Sequence, residues 1–165
     1  MSQLIFIRVF RLKFLTLVLF FLLTQIVLAE KVEITSTSMR AENTKKEIHF
    51  IGDAKVKKLD DWLHADRVVV YFNENNETKM YKAVGSVTFE FKEEVRHYTG
   101  SAEKVTYYPL KSLYILQGKA VIDDLINKSH VAGDEIKLDM LTGNATVKSN
   151  KKKPVKFIIE MKDEK

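Results

Sequence analysis

Phe50-Ile-Gly52-Asp-Ala-Lys-Val56, Ala83-Val-Gly85-Ser-Val-Thr-Phe89, Leu116-Gln-Gly118-Lys-Ala-Val-Ile122 and Leu141-Thr-Gly143-Asn-Ala-Thr-Val147 each carry a glycine followed by alternating polarity. The glycines are 33, 33 and 25 residues apart. Two and four residues after each glycine the side chain is apolar: Ala54/Val56, Val87/Phe89, Ala120/Ile122 and Ala145/Val147. At the positions between, Val121 is the one apolar residue. Successive strand side chains point to opposite faces, so a period of two in four copies predicts four strands with one apolar face each. The glycine predicts a tight turn or bulge at the strand entrance.

A second element alternates with the first. It reads Leu63-His-Ala-Asp66-Arg-Val-Val-Val-Tyr71, Gly100-Ser-Ala-Glu103-Lys-Val-Thr-Tyr107 and Ala132-Gly-Asp134-Glu-Ile-Lys-Leu138. A small residue precedes an acid, and an apolar alternation follows. Ser38-Met39-Arg-Ala41 reads as a degenerate first copy. Turn-prone clusters separate the runs: Asn43-Thr-Lys-Lys, Asp60-Asp61, Asn73–Thr78, Pro109–Ser112 and Asn127–Ser129. No sustained 3.6-residue stripe occurs. The chain is therefore expected to be all-β, a stacked or rolled array of two-strand units.

Ahead of this array stands a different segment. Arg8, Arg11 and Lys13 precede the apolar run Phe14–Leu23, and Val27-Leu28-Ala29 leads into Glu30-Lys31. A basic start, a short apolar stretch and a small residue at the exit make a secretory signal peptide, with cleavage expected after Ala29. The uninterrupted run is ten residues, where a spanning helix needs about 20. Retained uncleaved, the same segment would be a membrane anchor. Its removal takes three of the 27 basic residues and none of the 22 acidic ones, which lowers the formal charge from +5 to +2. The pI of about 9.2 thus reflects the targeting segment and a basic C-terminal end, and no nucleic-acid partner is expected. The expected organisation is a signal peptide (1–29), a β-domain (30–150) and a basic linker with a C-terminal edge strand (151–165).

The sequence contains no cysteine, which removes thiol nucleophiles, thiolate zinc sites and redox chemistry. His49, His64, His97 and His130 are scattered, with no His-x-x-x-His spacing, and predict no metal site. Asp60-Asp61 and Asp123-Asp124 are read as turn residues. Neither a nucleophile elbow nor a nucleotide-binding Gly-x-x-x-x-Gly-Lys-[Ser/Thr] occurs. No enzyme activity and no cofactor are expected. Glu74-Asn-Asn76-Glu-Thr78 fits an acidic, extended glycosylation sequon used by some bacteria, but a plain polar hairpin turn is the better reading of it.

The ordered alternation of Phe-x-Gly-Asp-Ala-x-Val with Leu-x-Ala-Asp-x-Val-x-Val-Tyr, closing with Gly-Asp-x-Ile-x-Leu-Asp and Thr-Gly-Asn-Ala-x-Val, resembles the OstA-like (LptA) family of periplasmic lipopolysaccharide-transport proteins. The likeness runs from about Val32 to Val147. Asp53 and Ser86 depart from the Asn commoner after the glycine, and the tail Lys151–Val155 matches nothing in the family. The resemblance implies a V-shaped antiparallel β-jellyroll, apolar inside, that holds the acyl chains of lipid A. It implies LptC-like and LptD-like jellyroll partners and head-to-tail self-association.

The side chains expected to line that interior are Ile34, Val56, Val68, Val70, Val87, Phe89, Phe91, Val105, Tyr107, Ile122, Ile136 and Leu138. Plain core packing accounts for each of them equally well, because alternation does not distinguish a filled interior from a hollow one. The expected oligomer edges are Val32 and Ile34 in the segment Val32–Thr37, and Val155, Phe157 and Ile159, with Met161, in Val155–Met161. Lys45, Lys46, Lys55, Lys57, Lys58 and Lys148–Lys153 are candidates for lipid A phosphates or a solvated face. A protein-binding β-domain with a solid core is the competing reading from another class.

Overall fold

The computed structural model describes residues 31–93, 95–149 and 154–160; the expected signal peptide lies outside them, as do Lys151–Lys153 and Met161. Ten strands form one antiparallel sheet: β1 (Glu33–Thr35), β2 (Ser38–Glu42), β3 (Glu47–Lys58), β4 (Asp61–Phe72), β5 (Thr78–Glu93), β6 (Arg96–Tyr108), β7 (Leu113–Asp124), β8 (Ser129–Asp139), β9 (Ala145–Lys148) and β10 (Lys156–Ile159). From β3 to β8 each strand pairs with the next. The short β1 and β2 share the outer edge of β3, and β9 and β10 share that of β8.

The glycines do not stand at strand entrances. Gly52, Gly85 and Gly118 lie in the middle of β3, β5 and β7, and the strands run through them. The register explains why. Between Ile51 and Ala54, Val84 and Val87, and Gln117 and Ala120, two residues face a single acid on a neighbouring strand: Asp66, Glu103 and Asp134. These are β-bulges, and both residues of each take positive φ, for example Gly85 (+87°) with Ser86 (+46°). A side chain at Gly85 would strike the Asp66 carboxylate, and one at Gly118 would strike Glu103. The fourth glycine differs. Gly143 sits in the turn between β8 and β9, with open space around it.

The bulges form one line across the sheet, and beside it runs an inward row of mostly small side chains: Ala54, Ala65, Val87, Ala102 and Ala120. Small residues on the inside of a bend let the two halves of each strand close towards each other. The sheet folds along this crease. Phe91 and the Tyr81 level of β5 would be roughly 33 Å apart along a straight strand. Tyr81 pairs with Tyr107, and Tyr107 with Tyr114, yet the Phe91 and Tyr114 ring centroids are 5.0 Å apart. Arg96 Nη1 likewise reaches the Met140 carbonyl at 3.4 Å from the opposite half.

The acids shift the side-chain frame. On β4 the inward residues are Leu63 and Ala65 before Asp66, then Val68 and Val70 after it. On β6 they are Tyr98 and Ala102, then Val105 and Tyr107. Alternation counted back from Val68 or Val105 therefore assigns the wrong face to everything before the acid. Asp123 and Asp124, read as turn residues, instead close β7. Asp124 Oδ1 then accepts from the Ile126 and Asn127 amides to start the turn. Asp60 is in a turn as read, whereas Asp61 opens β4.

The crease is sterically constrained, which is measurable. Gly85→Ala combines a positive φ with collision against Asp66, and is expected to cost about 1–3 kcal/mol in urea unfolding. Gly143→Ala carries a similar φ but meets nothing, so only about 1 kcal/mol should be lost. Equal losses would mean that the packing of the crease is unimportant.

Candidate functional site: the apolar interior

The twelve side chains expected inside are all buried or half-buried. Val68, Val70, Val87, Phe89, Val105, Ile122 and Ile136 are buried. Ile34, Val56, Phe91 and Leu138 are half-buried and pack against that core, and Tyr107 is half-buried beside them. The structure adds residues that lie before the bulges: Phe50, Leu63, Ala83, Tyr98, Tyr114, Leu116 and Val131. Their signal in the sequence is the same alternation, continued through the glycine on β3, β5 and β7 and reset by one residue at the acid on β4, β6 and β8.

Close fitting fills most of this space. Phe89 is 2% exposed because its ring lies over Gly100, where any Cβ would meet both that ring and the Val121 carbonyl. The ring continues into a stack with Phe91 at 4.9 Å. From the other half Tyr107 and Tyr114 stack at 4.2 Å. Phe91 meets Tyr114 in a tilted contact that joins the two halves.

On the N-terminal side of this aromatic contact a cleft remains. Val56, Leu63 and Phe91 line it from one half and Val68, Tyr81 and Tyr107 from the other, with Val32, Lys58 and Asp61 also on its wall. Its cavity volume is about 100 Å³. Small-molecule sites usually run to roughly 300–1,000 Å³. The interior is thus apolar and mostly closed in this conformation.

The two free edges match in form. Ile34 in β1 pairs with Val56 and faces inward, and Val32 precedes it, just exposed. Phe157 in β10 pairs with Val131 on the interior parity, yet is 61% exposed, and Val155, Ile158 and Ile159 are exposed too. β10 joins its own sheet through β8, and its other edge stays open among the described residues.

The outer face carries several side-chain pairs around a buried Val69. Three of the histidines that look scattered in sequence have carboxylate partners, His97 and His130 across strands and His49 along its own strand. His130 Nδ1 lies 2.7 Å from Asp123 Oδ1, His97 Nε2 2.7 Å from Glu90 Oε1, and His49 Nε2 3.0 Å from Glu47 Oε2. Trp62 Nε1 donates to Glu90 Oε2 at 2.8 Å. The hydrogen bond from His97, then that from Trp62, holds the Glu90 carboxyl below its usual range. Of the candidate phosphate-binding lysines, Lys45 pairs with Glu42 and Lys55 with Asp53. Among the described residues no three His, Asp or Glu side chains are placed to hold a metal ion.

This geometry can be set beside known proteins. A search of curated proteins gives no match. Among solved structures the fold is similar to the crystal structure of LptH, the LptA-homologous periplasmic component of the lipopolysaccharide transport device from Pseudomonas aeruginosa. The TM-score is 0.69 at 13% identity, over 80% of this chain and 96% of that one. At that identity the likeness establishes the nearly all-β, LptA-like jellyroll fold. The family model described as LptA/(LptD N-terminal domain) LPS transport protein matches residues 33–144, from β1 to the turn before β9. With more than half of its 165 residues inside that match, the chain belongs to the LptA/LptD N-terminal-domain family of lipopolysaccharide-transport proteins.

Proposed function

We propose that this protein is a periplasmic carrier that shelters the acyl chains of lipopolysaccharide between the two halves of its folded sheet and passes them along a head-to-tail file of jellyrolls. The observation that carries this reading is the inward apolar surface, from Ile34 on β1 to Val147 on β9, with the outer edges of β1 and β10 unpaired among the described residues. Family membership supports the transport role, and the N-terminal segment supports export.

Burial of an acyl chain stabilises its bound state by about 0.8 kcal/mol per CH₂. A chain of about a dozen carbons therefore gains on the order of 10 kcal/mol, comparable with the whole stability of a domain. Loading and release need an outside source of energy. The sequence has no nucleotide-binding motif, so the protein serves as a passive conduit between LptC-like and LptD-like partners. The cavity of about 100 Å³ must widen to take a chain, and the Phe91–Tyr114 contact is where the halves part.

A photoreactive residue at Phe91, which lines the cleft, should give a lipopolysaccharide adduct in living cells. The same probe at Thr88, exposed on the outer face, should give none. A folded, exported protein silent at both positions would favour the solid-core interaction domain. N-terminal sequencing of the mature chain should begin at Glu30; an intact N-terminus would point to the anchored, LptC-like reading.

The edges give a separate expectation. Strand addition between the β10 edge of one molecule and the β1–β2 edge of the next is heterologous and builds open filaments. Removal of Val155–Lys165 should abolish concentration-dependent growth in light scattering while circular dichroism keeps its β signal. Unchanged scattering would sink the head-to-tail assembly.

A further inference from the structure

The turn between β4 and β5 has a chemical feature that lipid carriage does not use. The chain holds three Asn-x-Ser/Thr tripeptides: Asn76-Glu-Thr78, Asn127-Lys-Ser129 and Asn144-Ala-Thr146. Such tripeptides are acceptors for N-linked glycans when they lie on the surface of an exported protein. Only Asn76 has an acid two residues before it, Glu74; the corresponding residues are Leu125 and Thr142 for the other two.

The structure separates them further. Glu74, Asn75, Asn76 and Glu77 are all exposed at the hairpin tip. The turn is built by a different residue. Asn73 Oδ1 accepts from the amides of Asn75 and Glu77 at 3.0 and 2.9 Å, and Asn73 Nδ2 donates to Glu77 Oε2 at 2.8 Å. Asn76 lies in the turn between the β4 and β5 ladders, with a left-handed backbone (φ +59°). Lys46 Nζ donates to Asn76 Oδ1 at 2.9 Å, which fixes the amide oxygen and leaves the nitrogen as the accessible end. Asn127 is the opposite case: its Nδ2 is spent on Asp124 Oδ2 at 2.7 Å.

We propose that Asn76 is an N-glycosylation site, modified by a membrane oligosaccharyltransferase that reads Glu74 as well as Thr78. In the transfer, Asn76 Nδ2 forms a bond to C1 of an oligosaccharide carried on a polyprenyl pyrophosphate. The C1–oxygen bond breaks, the polyprenyl pyrophosphate leaves with the electron pair, and the amide proton passes to a carboxylate of the transferase. Glu74 supplies one charge-assisted contact for a basic group of that enzyme.

The test uses the purified, folded chain with a bacterial oligosaccharyltransferase that requires an acid at the −2 position, and its polyprenyl-pyrophosphate oligosaccharide. Intact mass and glycopeptide sequencing read the product. One glycan is expected, on Asn76. Asn76→Gln should abolish it, and Glu74→Gln should slow it by about tenfold, the size of one charge-assisted hydrogen bond. Asn127→Gln and Asn144→Gln should leave it unchanged. An unmodified folded chain overturns the proposal, as does a glycan on Asn127 or Asn144. A peptide of residues 72–80, run alongside, then tells whether the fold or the sequence withheld the acceptor.

Discussion

The fold depends on a steric constraint at the line where each long strand is bulged. Six strands of 11 to 16 residues pair in simple succession, and such a sheet, left straight, would expose a full apolar face. The bulges at Gly52-Asp53, Gly85-Ser86 and Gly118-Lys119 prevent this. Each packs an extra residue against one acid on the following strand, while the space that a side chain on the glycine would need is taken from the preceding side, by Thr37 at Gly52, Asp66 at Gly85 and Glu103 at Gly118. With a row of alanines on the inside, the two halves fold together and the sheet becomes its own second layer. A single sheet bent in this way has an apolar interior without needing a second sheet or a helix to cover it.

The bend also sets the character of the interior. Aromatic side chains far apart on the sheet, Phe89 and Phe91 on one half and Tyr107 and Tyr114 on the other, meet across the fold. The glycine at position 100 exists to admit the Phe89 ring. Stacked rings joined by no covalent link can separate and re-form, which suits a surface proposed to hold acyl chains transiently. A tightly interlocked aliphatic core would resist the same motion, since packed interiors transmit strain instead of yielding to it. The Arg96–Met140 contact lies on the same opening side and is polar, so parting it exposes groups that water can satisfy.

The ends of the sheet are handled differently from its faces. The outer face is stabilised by cross-strand carboxylate–histidine pairs and by the bond from Trp62 to Glu90. At the edges, the interrupted pairs β1–β2 and β9–β10 are short, and β10 keeps three consecutive exposed apolar residues, Phe157 to Ile159. Exposed edges normally carry charge or bulges that discourage pairing. An apolar edge strand retained at one end is the property expected of a protein that adds strands to a neighbour, in line with the proposed file of jellyrolls.

The sequence by itself determined the class of fold, the order of its repeats and the inward side chains after the first three glycines, because a period of two is a local property of the backbone. It also marked the two edge segments and the acidic sequon. Which face Leu63, Tyr98 and Val131 take was decided only by the tertiary structure. The strand opposite a bulge has its frame reset by one residue at its acid, and that acid is recognisable only once its neighbouring glycine is in register. The histidine–carboxylate pairs are equally illegible in sequence, since Asp123 and His130 become neighbours through the β7–β8 ladder. So is the closure of the interior: Phe91 and Tyr114 are on separate strands in opposite halves of the sheet, and only the fold along the crease brings their rings together.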